Sequence, residues 1–145
     1  MNHYTPRNFI ISNSIGLKLV KARNLLSAEM DAALKDLDIT GPQMGILLSM
    51  KQGIANTPFE LSKMLGIDTG LMTRMLDKLE SNGLLQRSRD PGDRRVVNLT
   101  LTAAGQKVAE RMREVAPDVL NARLRNFSKA EFAEFDRLLR KFIGD

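Results

Sequence analysis

Apolar residues recur at steps of three and four along the N-terminal part of the chain. From Ile11 onward, the positions that keep this spacing are Ile15, Leu19, Ala22, Leu26, Met30, Ala33 and Leu37. This period is typical of an amphipathic helix that turns one face toward an apolar partner. The pattern therefore predicts one long helix from Ile11 to Leu37, with a length of roughly 40 Å at 1.5 Å per residue.

Three other helix starts carry a Ser or Thr followed three residues later by Glu or Gln. These pairs are Thr40 with Gln43, Thr57 with Glu60, and Ser128 with Glu131. In such a capping box each side chain accepts a hydrogen bond from the backbone N–H of the other residue, which satisfies donors that the helix leaves free. We therefore expect helices from these points to about Lys51, to about Leu65, and near the C-terminus.

Between these helices the sequence predicts a helix-turn-helix followed by a hairpin. Gly66 breaks the chain, Asp68 can cap a helix over residues 69–81, and Asn82 with Gly83 can end it. Residues 84–88 and 96–100 are β-prone and flank a turn over residues 90–93. The order of elements predicts a mainly α fold with a small β-hairpin, which is a winged helix-turn-helix.

A further helix is expected after the hairpin, with Thr102 as its cap. Val108, Met112, Val115 and Val119 lie on one side of it. Proline lacks a backbone N–H and clashes with the preceding turn, so Pro117 is expected to kink or divide this helix near Ala116.

The helix over residues 69–81 has two chemically different faces. Its apolar face holds Leu71, Met72, Met75, Leu76 and Leu79. The opposite face begins with small and hydrogen-bonding residues, namely Thr69, Gly70, Thr73 and Arg74. A slim face of this kind suits a DNA major groove, where an arginine can bind guanine O6 and N7 and a threonine can bind phosphate or touch a thymine methyl. The alternative is an ordinary solvated helix face.

The predicted hairpin is basic at its tip. Its arginines are Arg87, Arg89, Arg94 and Arg95. An arginine on such a wing can enter the minor groove beside the major groove that the helix occupies. We expect Asp90 and Asp93 to shape the turn, through hydrogen bonds to the backbone and by pairing with a neighbouring arginine. The alternative here is a solvated turn.

Residues 61–105 resemble the core of the MarR (multiple antibiotic resistance regulator) family. The residues that carry this resemblance are Leu61, Thr73, Arg74, Leu79, Glu80, Gly83, Leu84, Arg87, Asp90, Asp93, Arg94, Arg95, Leu99, Thr100 and Gly105. The resemblance implies a two-fold dimer, base recognition by Thr69, Gly70, Thr73 and Arg74, and a wing arginine in the minor groove. Arg94 is preferred for that role, with Arg95 pairing Asp93, although the two arginines can exchange roles. Gly70 replaces the Ser or Thr that is more usual at this position.

This interpretation gives a single winged-helix unit over residues 1–145. The DNA-binding lobe comprises about residues 40–101, and dimerisation helices lie at about residues 1–38 and 102–145. Apolar residues at the two ends of the chain exceed what one thin helical layer can cover. The predicted dimer interface consists of Phe9, Ile10, Ile11, Phe132, Phe135, Leu139 and Phe142. A two-fold dimer predicts a pseudo-palindromic operator with half-sites about 10 base pairs apart.

Composition agrees with a nucleic-acid partner and disfavours catalysis. The chain has 22 Lys and Arg against 17 Asp and Glu, for a net charge of +5. It has no cysteine and one histidine, His3, so no thiol nucleophile, metal site or catalytic triad is expected. We therefore expect no enzyme activity and no cofactor. No apolar run is long enough for a membrane span, and the chain is expected in the cytoplasm.

The resemblance also implies a small aromatic or phenolic acid as effector, because members of the family often bind such acids between the dimer helices and the DNA-binding lobe. Candidate pocket residues are Arg23, as a carboxylate partner, with Met44 and Leu48. Core packing is the alternative role for both apolar residues. The lack of cysteine favours a ligand over an oxidant as the signal.

The predicted function is a ligand-responsive repressor that binds DNA as a homodimer. The alternative is a winged-helix module that binds protein without reading DNA. Ionic strength discriminates between them, because contacts to phosphate weaken steeply with salt and an apolar docking surface does not. The sequence leaves open the operator, the regulated genes, the identity of the effector and the sign of regulation.

Overall fold

The computed structural model describes residues 1–145, which form six helices and one two-stranded hairpin. In chain order the elements are α1 (Ile15–Ala33), α2 (Gly41–Lys51), α3 (Pro58–Leu65), α4 (Thr69–Ser81), β1 (Leu85–Arg89), β2 (Val97–Leu101), α5 (Ala103–Leu124) and α6 (Lys129–Ile143). The hairpin directly follows the helix-turn-helix of α3 and α4. The predicted winged helix-turn-helix is confirmed.

The first helix is shorter than predicted at both ends. Ser14 begins it, since its extended backbone lets Oγ accept a hydrogen bond from the Leu17 N–H at 3.1 Å. At the other end Leu34 leaves helical geometry, and Asp38 takes a left-handed conformation with φ of 52°. The continuous helix from Ile11 to Leu37 is therefore wrong. The apolar period runs on through two short 3-10 turns that flank α1, and period alone does not distinguish these turns from the helix.

The predicted capping boxes are all present. Thr40, Thr57 and Ser128 each accept from the backbone three residues later and receive the reciprocal contact from Gln43, Glu60 and Glu131. The helices that follow end where the sequence indicates, at Lys51 and Leu65 for the first two. The helix α3 ends at Gly66, whose φ of 63° favours glycine, and the chain turns there toward α4.

The hairpin strands lie one residue later than predicted. Leu84 belongs to the turn that follows α4, because its N–H donates to the Leu79 carbonyl at 3.0 Å and caps the helix. The strands pair antiparallel, with Leu85 opposite Leu101 and Arg89 opposite Val97. We refer to β1, β2 and their connection as the wing.

The helix α5 continues through Pro117, so of the two predicted outcomes a division near Ala116 does not occur, and a kink stays a prediction. Proline at this position removes only the hydrogen bond that would reach the carbonyl of residue 113. Pro117 lies on the exposed side of the helix, where that carbonyl can be solvated. The remaining backbone hydrogen bonds therefore hold α5 as one element.

The core lies between the helix-turn-helix, the wing, α2 and α5. The largest fully buried side chains are Leu34, Ile46, Leu47, Leu61, Met72, Leu76, Leu79, Leu85 and Met112. Four of the five apolar residues predicted for the inner face of α4 are buried, and Leu71 is the exception at 38% exposure. None of the six helices combines the length and the apolar character that crossing a bilayer needs.

Candidate nucleic-acid interface

The helix α4 presents its slim face to solvent because the core holds the opposite side. Asp68 begins the helix by accepting a hydrogen bond from the Leu71 N–H at 2.9 Å. Met72, Met75, Leu76 and Leu79 are buried. The predicted DNA-reading residues, Thr69, Gly70, Thr73 and Arg74, are all exposed. We call α4 the recognition helix.

The first turns of the recognition helix leave one arginine free beside a glycine. The Thr73 hydroxyl donates to the Thr69 carbonyl at 2.8 Å, which leaves its oxygen as an acceptor at the surface. Arg74 has no ion-pair partner within the chain, and a Cβ on Gly70 would lie 3.8 Å from Arg74 Nη1. A Cβ on Gly70 would also lie 3.2 Å from Asp68 Oδ1, so the missing side chain leaves space between the Asp68 carboxylate and the Arg74 guanidinium.

Asp90 organises the tip of the wing. Its Oδ1 accepts hydrogen bonds from the Gly92 N–H at 2.8 Å and the Asp93 N–H at 3.0 Å, and its Oδ2 accepts from Asn98 Nδ2 at 3.2 Å. These contacts, with the Gly92 N–H as the largest cause, hold the pKa of the Asp90 carboxyl below its ordinary value. The carboxylate thus fixes the turn that carries the next arginines.

Two of the wing arginines have side chains without a partner, and a third binds a backbone carbonyl of the wing. Arg89 Nη1 donates to the Arg94 carbonyl at 2.8 Å, so its guanidinium crosses the tip of the hairpin. Asp93 Oδ1 accepts from the Arg95 backbone N–H at 2.9 Å. The expected ion pair between the side chains of Asp93 and Arg95 is absent, and Asp93 binds the backbone of Arg95 instead. The guanidinium groups of Arg94 and Arg95 have no partner in the chain and are exposed.

Arg87 differs from the other wing arginines, because its side chain faces the recognition helix. Its guanidinium forms ion pairs with Asp77 at 2.7 Å and with Glu80 at 3.0 Å. The expected direct contact of Arg87 with DNA thus conflicts with a side chain that is only 26% exposed and has two acidic partners. Alternation along β1 is the signal that indicates this orientation, since Arg87 shares a strand face with the buried Leu85.

The candidate effector residues line two neighbouring clefts that share Leu120. Arg23 of α1 and Met44 of α2 line a cleft of about 500 Å³ that also reaches Asp68 and Leu71 at the start of the recognition helix. Leu48 lines the adjoining cleft of about 530 Å³, beside Arg113 of α5. The ligand role of all three residues stays a prediction. Leu48 lies one turn beyond Met44 on α2, toward α5.

The apolar residues predicted for a dimer interface remain uncovered in the single chain. No residue of α6 is buried. Phe9, Ile10, Ile11, Phe132, Phe135 and Phe142 are exposed and Leu139 is half-buried. These side chains belong to the N-terminal segment and to α6, and none of them lies on the wing or the recognition helix.

Together, the buried helix-turn-helix, the exposed first turns of α4 and the basic wing define a winged helix-turn-helix protein of the transcription-regulator class. The MarR family model matches residues 39–97. The multiple antibiotic resistance protein MarR of Escherichia coli K12 is 36% identical over 111 residues, which are 76% of this chain and 77% of that protein. The chain belongs to the MarR family. Its members are transcriptional regulators and not enzymes, so the expectation of no enzyme activity is confirmed.

Solved structures extend this similarity over nearly the whole chain. A mutant MarR from E. coli complexed with operator DNA has a TM-score of 0.83 and 31% sequence identity, and the match covers 96% of this chain and 99% of that one. BpsR of Bordetella bronchiseptica, from a study of how 6-hydroxynicotinic acid regulates its DNA binding, has a TM-score of 0.81 and 27% identity, with coverage of 90% and 98%. The terminal helices are therefore part of the shared fold.

Proposed function

We propose that this chain is a ligand-responsive repressor that binds a pseudo-palindromic operator in double-stranded DNA as a homodimer. The observation that carries this function is the combination of two unpaired arginines at the wing tip with a recognition helix whose first turns expose Thr69, Gly70 and Thr73 beside Arg74. Leu71 is the one exposed apolar residue in these turns. The similarity to a MarR that is complexed with operator DNA supports the same mode of binding.

Within the DNA-binding lobe, the recognition helix and the wing bind different grooves of the DNA. The first turns of α4 enter the major groove, where Arg74 can bind guanine and Thr69 and Thr73 can bind phosphate or a thymine methyl. Gly70 allows close approach of the helix backbone. Arg94 and Arg95 enter the adjacent minor groove, where narrow width attracts arginine. Asp90, Asp93 and Arg89 shape the wing that presents these two side chains.

The ends of the chain form the dimer. We assign residues 1–38 and 102–145 to dimerisation and residues 40–101 to the DNA-binding lobe. The uncovered apolar side chains of α6 and of the N-terminal segment support this division, because a second copy would remove them from water. Two-fold symmetry then places two recognition helices about one DNA turn apart, near 10 base pairs.

The effector is a small aromatic or phenolic acid, and its site is the cleft lined by Arg23 and Met44. An arginine can pair with a carboxylate and a methionine can pack on an aromatic ring. The cleft also reaches Asp68, which begins the recognition helix. A ligand bound there would therefore contact the residues that set the position of α4.

The test is a binding titration with duplexes selected from fragments of the source genome. We expect the affinity for the selected operator to fall steeply with salt. A plot of the logarithm of the binding constant against the logarithm of the salt concentration should have a slope of about −0.9 for each phosphate contact. Arg74→Ala should lose about 1–3 kcal/mol of discrimination between operator and altered sequence. Arg94→Ala should weaken binding to all duplexes.

Arg111→Ala is the matched control, because Arg111 lies on α5 and pairs with Glu114. It removes the same charge from the protein but should leave operator binding within about twofold, since the group is outside the interface. A chain that ignores every duplex at low salt, or binds with no dependence on salt, would contradict DNA recognition and support a protein-docking module.

A further inference from the structure

Arg87 connects the wing to the recognition helix through three contacts. Its Nη2 lies 2.7 Å from Asp77 Oδ1 and its Nη1 lies 3.0 Å from Glu80 Oε1. Its backbone N–H also donates to Glu80 Oε2 at 2.9 Å. We call Asp77, Glu80 and Arg87 the helix–wing clamp. Because both carboxylates are on α4 and the arginine is on β1, the clamp joins the two elements that approach DNA.

The position of Glu80 indicates that this carboxylate needs a cationic partner. Glu80 lies in the last turn of α4, where the negative end of the helix dipole disfavours an acid. The guanidinium and the backbone N–H of Arg87 compensate for that position. Three groups in one network, with Arg87 largely shielded from water, also form a stronger link than an isolated surface pair.

The clamp fixes how the wing is oriented relative to the recognition helix. Asp77 and Glu80 are nearly one helical turn apart, so a guanidinium that binds both defines the rotation of α4 and its distance from β1. The two DNA-reading elements must enter adjacent grooves of one duplex together. Any freedom between them would be lost on binding and would weaken affinity.

We propose that Arg87 is a positioning residue for operator recognition, which acts through Asp77 and Glu80 and does not bind DNA itself. This inference rests on the proposed function. The competing role is that Arg87 leaves the two acids and binds a phosphate. The two roles give opposite expectations for Glu80→Gln. Loss of an acid near DNA strengthens binding by simple electrostatics, whereas loss of a clamp residue weakens it.

The experiment compares the full-length wild-type chain with Arg87→Gln, Glu80→Gln and Asp77→Asn. Fluorescence anisotropy measures binding to a selected operator and to a scrambled duplex of equal length over a series of KCl concentrations. We expect Arg87→Gln and Glu80→Gln each to weaken operator binding about tenfold, and Asp77→Asn to weaken it by a smaller factor. Affinity for the scrambled duplex should change about twofold or less, and the salt slope for the operator should stay unchanged.

Two further variants separate positioning from charge and from folding. Asp118→Asn, on the exposed side of α5, removes one acid outside the clamp and should leave operator binding within about twofold. The exchange Glu80→Arg with Arg87→Glu should restore most of the lost affinity, because it rebuilds an ion pair between the same elements. Circular dichroism melting checks that each variant folds. Asp77 is 61% exposed at its side chain, so Asp77→Asn tests the clamp with little effect on packing.

Tighter or unchanged operator binding by Glu80→Gln would overturn the proposal. The proposal would also be overturned if Arg87→Gln reduced the salt slope of operator binding by about 0.9, since that change would identify Arg87 as a phosphate contact. Failure of the wild-type chain to bind any selected duplex contradicts the proposed function itself. If the wild-type chain binds the operator and the clamp variants bind it with the same affinity, only the role of the clamp is contradicted.

Discussion

Gly105, in the first turn of α5, lies against the carbonyl oxygen of Leu84 so closely that no side chain fits between them. The same carbonyl accepts a hydrogen bond from the Thr102 N–H at 3.1 Å. The start of α5 is therefore docked on the residue that precedes β1. This contact connects the base of the wing to the helix that leads toward the dimer end of the chain.

Gly105→Ala should destabilise the protein because its methyl group would overlap backbone, which cannot move aside as a side chain can. We expect a loss of about 1–3 kcal/mol in the free energy of unfolding, measured by urea denaturation. Gly16→Ala is the control, since a Cβ there meets only Ser14 Oγ at 4.0 Å and replaces a helical glycine. It should leave stability unchanged or raise it by up to about 1 kcal/mol. Equal stability of Gly105→Ala and wild type would contradict the close contact.

The turn of the wing should lose its order in acid. Asp90 accepts hydrogen bonds from Gly92, Asp93 and Asn98, which lower its pKa from the ordinary value of 3.8. A carboxyl whose pKa is lower in the folded state stabilises that state above the unfolded pKa, and the contribution is lost as pH falls through the folded pKa. The Gly92 amide resonance should therefore titrate with a midpoint below 3.8.

Asp90→Asn is the matched variant for this measurement, because it keeps the shape of the side chain and removes the titrating group. Its Gly92 amide should show no titration in the same range. A midpoint at or above 3.8 in the wild-type chain would show that the carboxylate does not hold the turn in solution.

Local sequence signals were sufficient to predict most helix boundaries. A capping box specifies a helix start by chemistry within four residues, and all three boxes are present with their reciprocal contacts. The same kind of signal at Ser14 was obscured, because the apolar period continues through the preceding 3-10 turn. Periodicity reports which side is apolar, and it does not report where helical hydrogen bonding stops.

Partners distant in sequence were not predictable in the same way. The four basic wing residues are all arginines, but their side chains lie in three different environments. Arg87 pairs with α4, Arg89 binds the Arg94 carbonyl, and Arg94 and Arg95 are free. Strand alternation places Arg87 and Arg89 on the same face as Leu85, so it does not show that only Arg87 reaches the acids of α4. Met44 and Leu48 lie one turn apart on the same side of α2, so the sequence does not show that they line two neighbouring clefts.

Phe142 should be required for the dimer. Its side chain is 64% exposed in the single chain, on a helix with no buried residue. Phe142→Glu would place a charge in an apolar interface, and an unpaired buried charge is strongly destabilising. Sedimentation should show a shift from dimer to monomer, with loss of operator binding because two linked half-sites are no longer engaged together. Phe59→Glu changes a residue of α3 that is 74% exposed, somewhat more than Phe142, and should leave the dimer intact.

Gly70→Ser should change the preferred operator sequence. A Cβ at Gly70 would lie 3.2 Å from Asp68 Oδ1 and at an ordinary contact distance of 3.8 Å from Arg74 Nη1, so the added hydroxyl would lie beside the guanidinium and compete with it for the same base edge. Selection of bound sequences from a random duplex library should give a different consensus at the position that Arg74 contacts. Positions at the wing should be unaffected. An identical consensus for both proteins would mean that Gly70 does not influence base recognition.

An aromatic carboxylate should bind in the cleft between α1, α2 and the start of the recognition helix. Arg23 and Met44 line this cleft together with Asp68, which holds the first turn of α4 by accepting from Leu71. We expect a small aromatic carboxylate, with benzoate as the probe, to bind the wild-type chain in calorimetry and to weaken operator binding. Such an effect requires different affinity for the free and the DNA-bound conformations. Arg23→Gln should weaken binding of the acid about tenfold or more, because the carboxylate loses a charge-assisted partner, and should leave operator binding without ligand unchanged.

Arg113→Gln provides the matched comparison, because Arg113 lines the other cleft together with Leu48. If Arg113→Gln abolishes binding of the acid and Arg23→Gln does not, the effector occupies the cleft beside α5. In that case the bound acid would not contact the recognition helix, because Asp68 lines the cleft of Arg23 and not the cleft of Arg113. Release of DNA would then have to pass through α2 and α5, which pack on the same core. The pair of variants thus distinguishes a ligand that acts on the start of α4 from one that acts through the packing of the helices behind it.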